Sequence, residues 1–140
     1  MSEAGTMSAS HEFLHPKNWK PPKGFANGIV AEGRVVFLAG QVGWNAEQKF
    51  DSTDFVAQVR QALANIVTLV GEAGGRPEHI VRLTWYVTDK KDYLSRLPEI
   101  GAAYRSVMGR HFPTMTLVQV VALVEDLAKV EIEATAVIPA

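Results

Sequence analysis

The chain has 140 residues, 47% of them hydrophobic and 21% charged, with 14 Lys and Arg against 15 Asp and Glu for a net charge of −1. This suits one globular domain, and the balanced charge argues against a nucleic-acid backbone or an anionic membrane as partner. Cys is absent, which excludes disulfides, thiol nucleophiles and Cys-ligated metal clusters and fits a reducing cytoplasm.

Residues 1–15 read as a flexible N-terminal tail, small and polar without the apolar stretch of a secretory signal, and 16–140 as a single domain. No apolar run reaches the roughly 18 residues of a membrane span. From His11 to Gly28 the prolines Pro16, Pro21 and Pro22 break regular structure. Ile29–Ala31, a turn at Glu32-Gly33 and Val35–Ala39 then read as a β-hairpin rich in branched residues. A loop marked by Gly40, Gly43, Asn45 and Asp51 follows, with Ser52, Thr53 and Asp54 as candidate helix caps.

The strongest element begins at Phe55. Phe55, Val56, Val59, Leu63, Ile66, Val67 and Val70 lie on one helical stripe, and Gly71, Gly74 and Gly75 end it. Ile80–Thr88 is a strand by its branched and aromatic content. A second helix follows the polar run Asp89–Asp92, with Pro98 in its first turn and Ile100, Ala103, Tyr104 and Val107 on its apolar side. Thr114–Val121 carries no charge and is expected to be a strand covered on both faces. Lys129–Ile138 alternates: Val130, Ile132, Ala134, Ala136 and Ile138 face one way, Glu131, Glu133, Thr135 and Val137 the other. The order β-β-α-β-α-β-β predicts an α+β sandwich, one sheet with both helices on one face. Branched residues on the other face predict that it is covered in a dimer or trimer.

Few residues offer chemistry. His11 and His15 are four apart, but Pro16 spoils a shared helical face, and with His79 and His111 scattered no metal site is expected. Gly71–Gly75 closes a helix instead of opening one, so it is no phosphate loop, and Ser52, Ser95 and Ser106 lack a nucleophile context. Glu131 and Glu133 share one strand face, either as solvated carboxylates or with one acting as a general base at a subunit interface. Trp44 and Trp85 are core aromatics or a ligand wall.

Five segments in order resemble the RidA/YjgF family, once labelled endoribonucleases. They are Val35-Val36-Phe37-Leu38-Ala39-Gly40-Gln41-Val42, the helix Gln58–Ile66, Ala73-Gly74-Gly75 with Ile80–Asp89, Phe112-Pro113, and Val130–Val137, together covering residues 28 to 138. The resemblance implies a chorismate-mutase-like fold with one mixed sheet, a homotrimer in the cytoplasm, and a small-molecule pocket in each cleft between subunits. It further implies hydrolysis of reactive enamines and imines to a carbonyl compound and ammonia without a cofactor.

The family pattern is carried over residue by residue. Its water-positioning Glu is Glu131, but its carboxylate-holding Arg, whose fork suits a carboxylate, is Met115 here. Its Cys is Leu117, its Ser-Gly pair is Ala39-Gly40, its helix Asn is Gly101, and its Tyr is Phe25 or Ala26. Glu131 is the expected catalytic residue, with Phe25, Gly40, Met115, Thr116 and Leu117 expected to bind ligand. Arg34, Arg105 and Arg110 are candidates to replace the missing anchor. The expected function is imine deamination with an apolar pocket and little activity on 2-aminoacrylate, or alternatively metabolite binding without catalysis. Ribonuclease activity is not expected, since no basic groove or stacking platform is visible.

Overall fold

The computed structural model describes Met7, Ser8 and residues 11–140. The strands are β1 (Met7–Ser8), β2 (His11–Leu14), β3 (Gly28–Val30), β4 (Arg34–Val42), β5 (Ile80–Val87), β6 (Thr114–Gln119) and β7 (Val130–Ile138). The helices are α1 (Phe55–Glu72), α2 (Lys90–Leu94) and α3 (Leu97–Met108). The main sheet runs β4-β7-β5-β6, and a small sheet runs β1-β2-β3. β5 and β6 are parallel while β7 is antiparallel to both β4 and β5, so the main sheet is mixed. Helix α1 packs on β4 and β7, and α3 lies beside α1. The fold is the expected α+β sandwich, with the helices on one face.

Local chemistry explains the main helix. Of the three candidate caps, Asp54 is the N-cap, its carboxylate accepting from the Ala57 N–H at 3.0 Å. At the other end Gly75 N–H donates to Val70 O and Gly74 N–H to Gly71 O, a Schellman ending in which Gly74 takes φ 86°. Between the ends, Val59, Ala62, Leu63, Ile66 and Val70 have no exposure and meet Leu83, Trp85, Ile132 and Ala136 in the core. Val130, Ile132, Ala134, Ala136 and Ile138 of β7 are all buried, as their alternation predicts.

Two polar residues of α1 do what the apolar stripe cannot. Gln58 is 1% exposed; its Nε2 donates to Ser52 O and Leu127 O, and its Oε1 accepts from Lys129 N–H. Asn65 Nδ2 donates to Val42 O and Trp44 O. These amides tie the loops flanking the helix to its surface, satisfying backbone groups that would otherwise be buried unpaired.

Four expectations are corrected. First, β3 does not form a hairpin ladder with β4. It pairs with β2, Glu12 opposite Val30 and Leu14 opposite Gly28, so the chain folds back to an earlier strand. Second, residues 11–14 of the expected tail are a strand, anchored where the fully buried His11 ring places Nε2 3.0 Å from Val137 O; residues 1–6, 9 and 10 lie outside the described residues. Third, there are three α-helices among the described residues, because Asp89 caps a short extra one, accepting from Lys91 N–H. Fourth, β6 is an edge strand, and Thr116, Val118 and Gln119 are exposed on it. Among the described residues no helix is long and apolar enough to cross a membrane.

Candidate functional site

The mixed sheet separates the expected site residues into two groups. On the helix side, α3 and the loop before β6 stand off the sheet and leave a cavity of about 110 Å³. Met115 and Leu83 form its floor; Trp85, Tyr93, Tyr104 and Phe112 give aromatic walls; Leu97, Ile100, Gly101, Pro113 and Gly24 complete it. None of these side chains is charged. Tyr104 stacks on Phe112 with centroids 5.3 Å apart, and Trp85 meets Tyr93 edge-on at 6.0 Å. Tyr104 donates to His111 O at 2.6 Å. Burial pushes the Tyr93 and Tyr104 phenols above the ordinary tyrosine range, so both stay neutral. Trp85 Nε1–H is buried without a hydrogen-bond partner among the described residues.

Segment 24–26 is held at this cavity by backbone: Ala26 N–H donates to Pro113 O at 3.0 Å, and Ala26 bridges to Thr114. Gly24 therefore lines the cavity, and its neighbour Phe25 stands partly exposed at 38%. Leu117 packs against the core farther along β6 and does not line the cavity.

The second group lies on the other face. Glu131 is opposite Val42 on β4 and Tyr86 on β5, and its carboxylate lies over Gly40, where any Cβ would collide with it. Tyr86 Oη donates to Glu133 Oε2 at 3.2 Å. Desolvation first, then that bond and the charges of Glu133 and Glu131, raise the Tyr86 phenol above its usual range, with Arg82 opposing. Thr84 and Thr116 are register partners there. Phe37 at 80% and Val35 at 52% exposure stand on β4, and Val118 at 41% on β6. Gly40, Thr116 and Glu131 are thus across the sheet from Met115, and a single chain does not bring Glu131 to the cavity.

The candidate anchors also separate. Arg34 Nη2 donates to Ala73 O beyond the end of α1, so it is committed elsewhere. Arg105 lies on α3, its Nη1 3.1 Å from where a Cβ of Gly101 would stand. Arg110 is exposed beyond α3. The cavity's Tyr93, Leu97, Ile100, Tyr104 and Phe112 were not foreseen as site residues. Each reads from sequence as an ordinary apolar position, and only the stand-off of α3 from the sheet makes them walls. Among the described residues no group of three or more His, Asp or Glu side chains could hold a metal ion.

Comparison with known proteins agrees with this architecture. The family model described as "Endoribonuclease L-PSP" matches residues 17–138. The "2-iminobutanoate/2-iminopropanoate deaminase" of Escherichia coli K12 is 33% identical over 108 residues, covering 75% of this chain and 80% of that protein. A RutC family protein of Pasteurella multocida is 32% identical over 105 residues, 75% of this chain and 81% of its own. Among solved structures, the Rid family protein YyfB of Yersinia pestis superposes with a TM-score of 0.82 at 30% identity, covering 92% of this chain and 99% of that one. The YjgF gene product of E. coli gives a TM-score of 0.64 at 32% identity over 81% of this chain and 87% of its own. The fold, the motifs and these matches together make the chain a member of the RidA/YjgF family.

Proposed function

We propose that the protein hydrolyses a reactive imine or enamine to a carbonyl compound and ammonia, in clefts between the subunits of a homotrimer. An enamine first becomes its imine by gaining a proton at the β-carbon and losing one from nitrogen; water then adds to the carbon of the C=N bond, and Glu131 of one subunit takes the proton that leaves the water. The resulting carbinolamine expels ammonia once its nitrogen is protonated, giving the carbonyl product. These steps need only water and proton transfers. The observation that supports this reading is the separation of Glu131 from the apolar cavity by the sheet, since in a shared site a second copy would bring the two together. The exposed Val35, Phe37 and Val118 on the same sheet face as Glu131 offer a surface for that copy.

Met115 in the cavity floor replaces a cation by a pliable apolar chain. A small, fully polar substrate such as 2-aminoacrylate then gains little from the pocket, and its turnover is weak or nil. The absence of any charged side chain in the lining also supports a second reading, in which the cleft binds a small apolar metabolite without catalysis.

Hydrolysis of freshly generated 2-aminoacrylate and of bulkier amino-acid imines separates the two. Under the deaminase reading the bulky imines turn over and Glu131→Ala abolishes it, while Met115→Arg raises activity on 2-aminoacrylate. Ordinary turnover of 2-aminoacrylate by the unmodified protein overturns the altered-pocket reading. Inertness toward every imine leaves the binder.

A further inference from the structure

Three histidines from distant parts of the chain meet at strand β2. His11 lies on β2 itself, His79 ends the single 3₁₀ turn Pro77–His79, and His111 precedes β6. The His11 ring has no exposure and stands edge-on to His79, with centroids 6.4 Å apart. Two residues along β2, Phe13 meets the His111 ring edge-on at 6.1 Å. Among the described residues β2 has backbone ladders to β1 and β3 and to no strand of the main sheet. These ring contacts, with His11 Nε2 3.0 Å from Val137 O, seat it on the main body.

The seat is built for uncharged partners. His79 Nδ1 accepts from Arg76 N–H at 3.0 Å, so a proton there would turn an acceptor into a donor facing a donor. Burial keeps His111 below the ordinary histidine range, while its bond to Ile80 O at 2.6 Å works the other way. The charged and titratable groups facing this pair are Glu78 and Arg76 at the 3₁₀ turn and His11 from β2. Glu78 is already paired with Arg76 at 2.9 Å. β3 carries no charge, β7 meets the cluster through the Val137 carbonyl, Arg110 is exposed beside His111, and Glu12 falls on the other face of β2. Positive charge gained here therefore has no free carboxylate to meet.

The cluster also reaches the cavity. Pro113, two residues after His111, accepts from Ala26 N–H at 3.0 Å and lines the cavity together with Gly24. Ala26 in turn leads directly into β3, the ladder partner of β2.

We propose that His79 and His111 form an acid-operated latch on a strap made of β2 and residues 15–27. In acid both rings gain a proton, β2 leaves its seat, and the cavity loses the side that Gly24 supplies. The open strap binds protons more readily than the closed one. The latch is therefore shut above the ordinary histidine value of about 6.5 and loosens as pH falls below it. The device is independent of whether the cleft hydrolyses an imine, because its readout is backbone protection and not turnover.

Hydrogen–deuterium exchange of the full chain at about pH 7.5 and about pH 5.5, corrected for the intrinsic pH dependence of exchange, tests it. At the higher pH the amides of residues 11–14 and of Ala26 are expected to be protected. At the lower pH they lose that protection, since a small ribbon with no core to lie on is marginal, while α1 and β7 keep theirs. His79→Gln combined with His111→Gln supplies uncharged side chains that can still accept from Arg76 N–H and donate to Ile80 O. This double variant stays protected at both pH values. His15→Gln, just beyond β2, opens as the unmodified protein does. A strap that stays protected at the lower pH in the unmodified protein overturns the proposal. So does opening that coincides with loss of protection in α1 and β7, or opening of the double variant at the same pH. Should the double variant lack protection in α1 even at the higher pH, His79→Gln alone is expected to shift the opening to lower pH, and the absence of a shift is the overturning result.

Discussion

The carboxylate of Glu131 rests directly over Gly40, in the gap made where the register of β4 against β7 shifts between Leu38 and Gln41. The bulge and the missing side chain act together: one re-aims the strand, the other leaves room for the acid. The collision that a Cβ at position 40 would cause is with the far end of a side chain, which can swing aside.

Gly40→Ala is therefore expected to leave the fold intact and move the carboxylate. If Glu131 positions the attacking water, kcat for imine hydrolysis falls by about 10- to 100-fold, the usual cost of a misplaced group, with the melting temperature nearly unchanged. Unaltered kcat in Gly40→Ala would show that Glu131 takes no part in the chemistry.

Two imidazoles, the buried His79 and the half-buried His111, set a pH window. Burial holds His79 and His111 below the ordinary histidine range; nearby Arg76 and His11 add to the effect at His79, and His11 and His79 at His111, while Glu78 opposes it at both and the Ile80 carbonyl at His111. With folded values lowered, the unfolded chain binds protons first as pH falls below its own histidine value of about 6.5. Their contribution is complete above that value and declines as pH falls below it. Melting curves across this range, compared with His111→Gln, check it: the variant should show a flatter pH dependence. A slope equal to that of the unmodified protein would exclude His111 as a source.

Arg96 joins the starts of two helices, bonding Asp54 at 2.6 Å and Glu99 at 2.8 Å. It lowers both carboxyls below their usual range, so their contribution is present at neutral pH and is lost only as pH drops below about 4. The groups are solvent-screened, so Arg96→Met should lower stability only slightly, and by less in high salt. Chemical denaturation at low and high ionic strength measures both. A loss independent of salt would point to the stem's packing instead.

Trp85 pairs a large buried ring with an N–H that bonds nothing among the described residues. Trp85→Phe gives up volume but also removes an unpaired donor, whose burial costs about 1–3 kcal/mol. The net loss should stay near 1 kcal/mol, against about 3–5 kcal/mol for Trp85→Ala. Equal losses in the two variants would mean that the indole N–H is satisfied.

Phe37, 80% exposed on the sheet face that also carries Glu131, would lie in a subunit contact of the proposed trimer. Phe37→Glu is expected to lower the solution mass by light scattering from three chains toward one, and to remove activity by separating the two halves of the site. A monomeric unmodified protein would contradict the proposed assembly.

The fold was readable wherever the signal was local. The apolar stripe of α1 and the alternation of β7 are one-element patterns, and both hold in the core except at Val67, which is only partly buried, and Val137, which is buried although the alternation turns it to the other face. Pairing is not local. The partner of β3 is β2, four residues whose burial is signalled by a histidine instead of an aliphatic, so the earlier strand passed for tail. The candidate site shows the same division. Met115 and Glu131 stand out by their places in a family motif, yet nothing in either segment reveals that the sheet parts them. The cavity walls come from residues between 24 and 115 that acquire a common purpose only in three dimensions.

The central position of β7 has a consequence for how the molecule comes to exist. During synthesis β4, β5 and β6 emerge before the strand that lies between β4 and β5. Until then, β4 has no neighbour in the main sheet, and α1 lacks one of the two strands it covers. A nascent chain must carry exposed strand edges and an uncovered helix stripe for most of its translation, a period in which contact with another copy is hazardous. Closure arrives in one late step, when β7 slots between its neighbours and offers the Val137 carbonyl to His11, 126 residues upstream.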